Sequence, residues 1–339
     1  MDFSGTMILA GLILALLWLW SMKNRRKYPL PPGPTGLPLI GNLLQVDKHV
    51  PFKSMLKLSE KYGPVMTLHL GWQRVVVLVG YDTVKEALVD QADDFVGRGP
   101  VPFILKVTKG YGLAISNGER WRQLRRFTLT TLRDFGMGRK GMEEWIQEES
   151  QNYMRSIKET VLSAPFDPSF LLSCTASNVI CCLVFGQRFS YDDEHFLRLL
   201  KIISEILEFE SSPLGGMYNV FPWLMEHLPG HQHTVFSQAE EVKKFIMTKI
   251  QEHMETINPS VPRDYIDCFL TRLSQEKDIP TSEFHYDNLV STVLVLFLAG
   301  TETTSTTLRY ALSVLIKYPN IQGTSTKISI SKTLKNYII

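Results

Sequence analysis

An acid set among hydroxyls interrupts an otherwise apolar stretch in Phe297-Leu-Ala-Gly-Thr-Glu-Thr-Thr-Ser-Thr-Thr307. A buried carboxylate is costly unless it is paired or borders a polar cavity. Glu302, beside Thr303 and Thr304, therefore either lines such a cavity or belongs to a satisfied polar patch between helices. Gly300 would let a bulky ligand approach the backbone. A threonine hydroxyl bonded into the i−4 ladder would bend the helix and admit water, and such a wet bend can relay protons.

A second group consists of donors only. In Glu119-Arg-Trp-Arg-Gln-Leu-Arg-Arg-Phe127, Trp121 and Arg125 stand four residues apart, on one helix face. An indole N–H and a guanidinium fork aimed at one spot suit a carboxylate. Arg122, Arg126 and Arg133 add positive surface, and Arg98 in Phe95-Val-Gly-Arg-Gly99 joins them if the chain folds back. The other reading is a solvated basic helix anchored by a tryptophan. Cys174, Cys181, Cys182 and Cys268 lie in apolar or helical contexts without CxxC spacing, which reads as buried reduced thiols on a cytosolic domain.

The elements that position these groups follow from periodicity. Met66, Leu68 and Leu70 alternate, Gly71-Trp-Gln-Arg74 turns, and Val75–Val79 returns, which predicts a hairpin. Asp82 or Thr83 is expected to cap a helix through Asp90. Beyond residue 117 the pattern is almost all helical, near 119–132, 140–162, 168–185, 193–210, 234–256, 264–275 and 285–318. An α-rich α+β domain follows. Leu214–Leu228 reads as an interhelical connection crowded with apolar residues, which packs inward or touches lipid.

Phe3–Met22 carries no charge and as a helix spans roughly 30 Å. Trp18 and Trp20 close it, and Lys23, Arg25, Arg26 and Lys27 follow. Residues 1–22 therefore read as a retained membrane anchor with the domain on the cytosolic side. Residues 23–38, basic and then proline-rich, read as a stiff hinge. The net charge of +2 over 339 residues and the lack of aromatics interleaved with basic residues argue against a nucleic-acid partner. Residues 323–339 hold no acid and are dominated by Ser, Thr, Lys and Ile, a composition that reads as a foreign tail.

Taken in order, the anchor, Pro31-Pro-Gly-Pro34, Leu37-Pro-Leu-Ile-Gly-Asn42, Phe95–Gly99, Trp121-x-x-x-Arg125 with Arg126-Phe127, Phe135-Gly-Met-Gly138, Phe185-Gly-Gln-Arg-Phe189 and Ala299-Gly-Thr-Glu-Thr-Thr304 resemble the microsomal cytochrome P-450 superfamily, most of all its vertebrate family two. The resemblance covers residues 1–322. It implies a mainly α (α+β) fold behind a membrane helix, with residues 39–322 as part of the catalytic domain, in the endoplasmic reticulum membrane. It also implies a haem enzyme that takes electrons from an NADPH-dependent flavoprotein reductase and inserts one oxygen atom of O2 into lipophilic small molecules. Arg98, Trp121 and Arg125 would hold haem propionates, and Ala299 would lie against the haem. Thr303 with Glu302 would deliver protons. Phe297 and Ala299 would wall the pocket, together with Phe103 and Ile115 of the substrate-choosing Val101–Ile115 loop.

The family also has a Glu-x-x-Arg helix, a proline-rich segment ending in arginine and a Phe-x-x-Gly-x-Arg-x-Cys-x-Gly loop. None follows Gln322, and these residues hold no Glu after Glu302 and no Cys after Cys268. No metal ligand is assigned, because the axial thiolate is not among them. An open sheet edge and exposed apolar helix surface are expected. Two readings stand: an oxidoreductase by descent, and a non-catalytic membrane-bound chain that competes for reductase or other partners.

Overall fold

A computed structural model describes residues 11, 30–47, 49–137, 140–160, 166–324 and 326–327. All but Gly11 of the anchor read at 1–22, the basic part of the hinge at 23–29 and residues 328–339 of the tail lie outside the described residues. The chain divides into two compact units: Met1–Gly97 with Gly216–His227, and Arg98–Gly215 with Leu228–Ile339.

In the first unit, α1 (Pro51–Tyr62) precedes an antiparallel hairpin of β1 (Val65–Leu70) and β2 (Gln73–Leu78), with Leu68 opposite Val75. Met66 and Leu68 turn the buried face of β1 inward, as period-two alternation requires. The proline-rich segment docks on this hairpin. The Thr67 N–H donates to the Pro32 carbonyl at 2.9 Å, and a side chain at Gly33 would run into the Thr67 carbonyl. Buried Asn42 locks the same edge, its Oδ1 accepting from the His69 N–H at 2.7 Å. Beyond the hairpin, the expected helix starts two to three residues early, as α2 (Tyr81–Lys85), with Gly80 and not Asp82 or Thr83 at its N-cap, and continues as a π-helical turn over Glu86–Asp90.

The second unit is helical: α3 (Pro102–Thr108), α4 (Gly118–Asp134), α5 (Lys140–Thr160), α6 (Ser169–Phe185), α7 (Glu194–Ser211), then α8 (Pro213–Val220) and α9 (Pro222–Met225), which run into the first unit's 216–227 segment, and α10 (His231–Thr256), α11 (Tyr265–Gln275) and α12 (Tyr286–Lys317). The seven long helices fall where the 3.6-residue pattern puts them. Two short connections do not. Val101–Ile115 carries α3, and Leu214–Leu228 carries α8 and α9, because Pro102, Pro213 and Pro222 stand at helix starts, where proline lacks only a hydrogen bond that is orphaned anyway. Within the first unit, Val220 closes on Gly71 and Phe221 meets Trp72 edge to face at 6.5 Å. Met217 and Trp223 stay exposed, so this segment both packs inward and offers apolar surface.

α6 is apolar on every side and is buried accordingly. It packs along α12 through Phe185 and Phe297, with ring centroids 6.0 Å apart, and through the Thr301 and Ser177 hydroxyls, whose oxygens lie 3.2 Å apart. α12 is long and apolar enough to cross a membrane, yet half of its most apolar stretch is buried inside the unit. It is a core helix whose later turns, with Leu308, Tyr310 and Ile316, lie exposed. Among the described residues no third strand joins the hairpin. The exposed helix surface is as expected.

Candidate functional site

The site is organised by the face of α12 that carries Asn288, Thr292, Val295, Ala299 and Thr303, spaced three or four residues apart. Its first turns are covered. Fully buried Asn288 accepts from the Gly112 N–H through Oδ1 at 3.0 Å, while its Nδ2 donates to the Glu283 carbonyl at 2.7 Å. Gly112 has φ +78°, and a Cβ there would lie 2.9 Å from the Ser291 backbone. Only glycine suits this contact. Further along, Val295 is half-buried, and Ala299 and Thr303 are exposed.

The polar interruption is satisfied along the helix. Thr303 Oγ1 donates to the Ala299 carbonyl at 2.6 Å, and Thr301 and Thr307 bond back in the same way at 2.8 and 2.7 Å. Thr306 Oγ1 donates to Glu302 Oε1 at 3.0 Å. Ala299, Glu302, Thr303 and Thr306 thus form one stripe, with the carboxylate half-buried.

The expectations for Phe297 and Gly300 do not hold. Phe297 is fully buried on the opposite side of α12 against Phe185, because residues 297 and 299 sit some 200° apart on a helix. It packs the core and does not share the face of Ala299. At Gly300 a Cβ would lie 2.5 Å from Ile180 Cγ1 of α6. The glycine admits a neighbouring helix, not a ligand.

The structure brings Trp121 and Arg125 together and ties the backbone of Arg98 to the residue before α4. Asn117, which precedes α4, accepts from the Arg98 N–H through Oδ1 at 2.6 Å and donates to the Arg98 carbonyl at 3.0 Å, so the chain does fold back. The Arg125 guanidinium lies 5.2 Å from the Trp121 ring centroid, within cation–π range. Among the described residues no carboxylate pairs with Arg98 or Arg125, whereas Arg122 is paired with Glu119 at 3.0 Å. Arg125, without a carboxylate partner and beside an indole donor, suits an anion.

Sequence reasoning missed the frame that joins the two groups. Arg120 Nε donates to Glu283 Oε2 at 2.7 Å, and Gln123 holds the 281–283 backbone through a bond to the Thr281 carbonyl at 3.2 Å and one from the Glu283 N–H at 3.1 Å. Residues 98–117 therefore link the α4 donors to the Asn288 turn of α12. The legible signal was Asn288 itself, an amide on an apolar helix face. Of the expected substrate-loop residues, Phe103 is buried against Phe209 and Phe236, with centroids 5.3 and 5.4 Å away, and Ile115 is buried beside the Gly112 turn.

Two further clusters bear on ligands. His253, Asp264 and Asp267 gather ligand atoms within 4.8 Å of one another. However, His253 meets an acceptor at each nitrogen, the Lys249 carbonyl at 2.6 Å and Asp264 Oδ2 at 2.7 Å, and Arg263 forks both oxygens of Asp267. With both ring nitrogens engaged by these partners, the imidazole presents no free lone pair to a metal. The cysteines are thiols. Burial pushes Cys174 up to about 12 and Cys182 and Cys268 to about 11, and lifts Cys181 well above its ordinary value.

Residues 31–325 match the family described as Cytochrome P450. The chain is 49% identical over 311 residues to Cytochrome P450 2C23 of Rattus norvegicus, which covers 91% of this chain and 62% of that protein. It is 48% identical over 323 residues to Cytochrome P450 2A4 of Mus musculus, covering 94% and 65%, and 47% identical over 324 residues to Cytochrome P450 2A6 of Homo sapiens, again 94% and 65%. The 339 residues thus span a little under two thirds of the length of these curated relatives.

Proposed function

Because this chain belongs to the cytochrome P450 family and is of the family-two type, we propose that it supplies the distal and propionate sides of a haem monooxygenase acting on lipophilic small molecules. The observation that carries the reading is the unpaired Arg98, Trp121 and Arg125 set, tied through residues 98–117 to the helix face of Ala299 and Thr303. Those donors fit an anionic porphyrin edge. Haem, when bound, supplies dioxygen activation and transfer of one oxygen atom, with electrons from an NADPH-dependent flavoprotein reductase. Ala299 leaves room against the helix. Thr303, whose hydroxyl returns to the Ala299 carbonyl, and Glu302, bonded to Thr306, hold exchangeable protons along the same stripe. Phe103 and Ile115 shape the apolar segment carried on the Asn288 turn. Residues 1–22 would hold the domain on the cytosolic side of the endoplasmic reticulum membrane.

The test is haem retention by the full chain in lipid nanodiscs after challenge with apomyoglobin. Arg125→Gln and Trp121→Phe should each speed haem loss about tenfold, the effect of one lost charge-assisted hydrogen bond. Loss rates unchanged by both would refute the propionate assignment. A second reading, a non-catalytic membrane-bound chain that competes for reductase, is favoured by one observation: Cys174, Cys181, Cys182 and Cys268 lie buried or half-buried within α6 and α11. The two readings differ in whether substrate is oxidised.

A further inference from the structure

Between α4 and α11, within the second unit, lies an open cavity of about 620 Å³, a volume typical of small-molecule sites. Its floor is Phe127 and Phe284, edge to face at 5.0 Å and backed by Phe269. Ile279 stands at the rim, 49% exposed. These surfaces are held in place, because Gln123 bonds the Thr281 carbonyl and Ser282 Oγ donates to Glu276 Oε2 at 2.7 Å.

The charges in the cavity do not cancel. Arg272 is balanced by Glu276 at 2.6 Å and lies over the Phe284 ring. Arg126 is exposed and, among the described residues, pairs with no carboxylate. The hydroxyls of Thr130 and Thr281 on the same walls also make no hydrogen bond there. A rigid aromatic floor thus sits beside one spare guanidinium and two spare hydroxyls. A cation would be repelled, a neutral apolar molecule would leave these donors unused, and a bare inorganic anion would leave the rings uncovered.

We propose that this cavity binds a small amphipathic carboxylate, with its apolar body on Phe127, Phe284 and Ile279 and its head group on Arg126. The binding is independent of haem. Arg126 also belongs to the exposed positive surface of α4 with Arg122 and Arg133, so an occupant would mask one of those charges.

The experiment uses the full chain in lipid nanodiscs, titrated with 4-phenylbutyrate and with its neutral counterpart 4-phenylbutan-1-ol by saturation-transfer NMR. The carboxylate should bind saturably and more tightly than the alcohol. Arg126→Gln should weaken it about tenfold, Arg126→Lys less, and Arg125→Gln and Arg133→Gln not at all. Ile279→Glu, at the exposed rim, should give a similar loss by repulsion, which covers the case of a misfolded Arg126 variant. Equal affinity for acid and alcohol, indifference to both Arg126→Gln and Ile279→Glu, or a loss that follows Arg125→Gln instead would overturn the proposal. The last outcome would place the carboxylate among the haem-edge donors.

Discussion

Asp264 Oδ2 lies 2.7 Å from His253 Nε2, on the far side of an imidazole whose Nδ1 meets the Lys249 carbonyl at 2.6 Å. Both nitrogens face acceptors, so the ring must carry two protons. Burial alone would lower its pKa, but the bond and charge of Asp264, the Lys249 carbonyl and Asp267 together raise it above the ordinary 6.5. The pair joins the end of α10 to the start of α11. Because the folded value is raised, its stabilisation is fully present below about pH 6.5 and fades as pH rises through the folded pKa. Thermal melts should shift downward across that alkaline window, and His253→Ala should flatten the dependence while costing about 3–5 kcal/mol, the range for breaking a buried ion pair. An unchanged pH profile in His253→Ala would show that the imidazole is neutral.

Gly300 and Ile180 make a second contact that can be checked by mutation. A Cβ at residue 300 would sit 2.5 Å from Ile180 Cγ1, so Gly300→Ala should destabilise the domain by about 1–3 kcal/mol, the usual cost of overpacking. Trimming the obstacle should recover part of that loss. A double-mutant cycle with Ile180→Ala, which removes Cγ1, measures the coupling by urea denaturation. Were Gly300 kept for ligand access alone, the two substitutions would simply add.

These two cases show what the sequence could and could not carry. The seven long helices and the hairpin were legible because periodicity is a local property, and Trp121 with Arg125 was legible because their spacing fixes a common face. Phe297 and Gly300 were misplaced because nothing local says which side of α12 meets α6. The frame of Asn288, Gly112, Glu283 and Arg120 was not legible, since its bonds span up to 176 residues. The helices inside the Val101–Ile115 loop and the Leu214–Leu228 connection were not legible, although Pro102, Pro213 and Pro222 stand at their starts.

The membrane assignment rests on Phe3–Met22 and its basic flank. After expression in microsomes the chain should resist carbonate extraction, and removal of residues 1–27 should release most of it. A glycan attached to a sequon engineered into the main domain would instead place that domain in the lumen.

Reductase association should depend on exposed charges that are not already neutralised. Of Arg122, Arg126, Arg133, Arg139 and Lys140, Arg122 is paired with Glu119 at 3.0 Å, Arg126 and Arg133 are exposed, and Arg139 lies outside the described residues. Arg126→Glu with Arg133→Glu should slow association about tenfold at low salt, with little difference at high salt. Arg122→Glu should do less. Equal binding by all variants in a stopped-flow or pull-down assay would leave the competitor reading without an electrostatic basis.

The final prediction concerns the iron's partner. Cys174 and Cys181 are buried in α6, Cys182 is half-buried in it, and Cys268 is half-buried in α11. None belongs to the face that carries Ala299 and Thr303. Burial raises the pKa of each, up to about 12 for Cys174, to about 11 for Cys182 and Cys268 and well above the ordinary value for Cys181, so the thiol form dominates near neutral pH. A thiolate is what pushes electron density onto haem iron. Haem held by the 339-residue chain alone should therefore lack the red-shifted thiolate-type band in a reduced carbon monoxide difference spectrum, and substrate turnover with reductase should stay at background. A chain extended with a family-type Phe-x-x-Gly-x-Arg-x-Cys-x-Gly segment is the positive control and should gain the band without loss of the Arg125 dependence. If the 339 residues alone gave that band, single Cys→Ser substitutions would identify the ligand, and α6 or α11 would have to open for it to reach the iron. The accompanying rise in backbone hydrogen exchange there would separate such an opening from trace contamination by another haem protein.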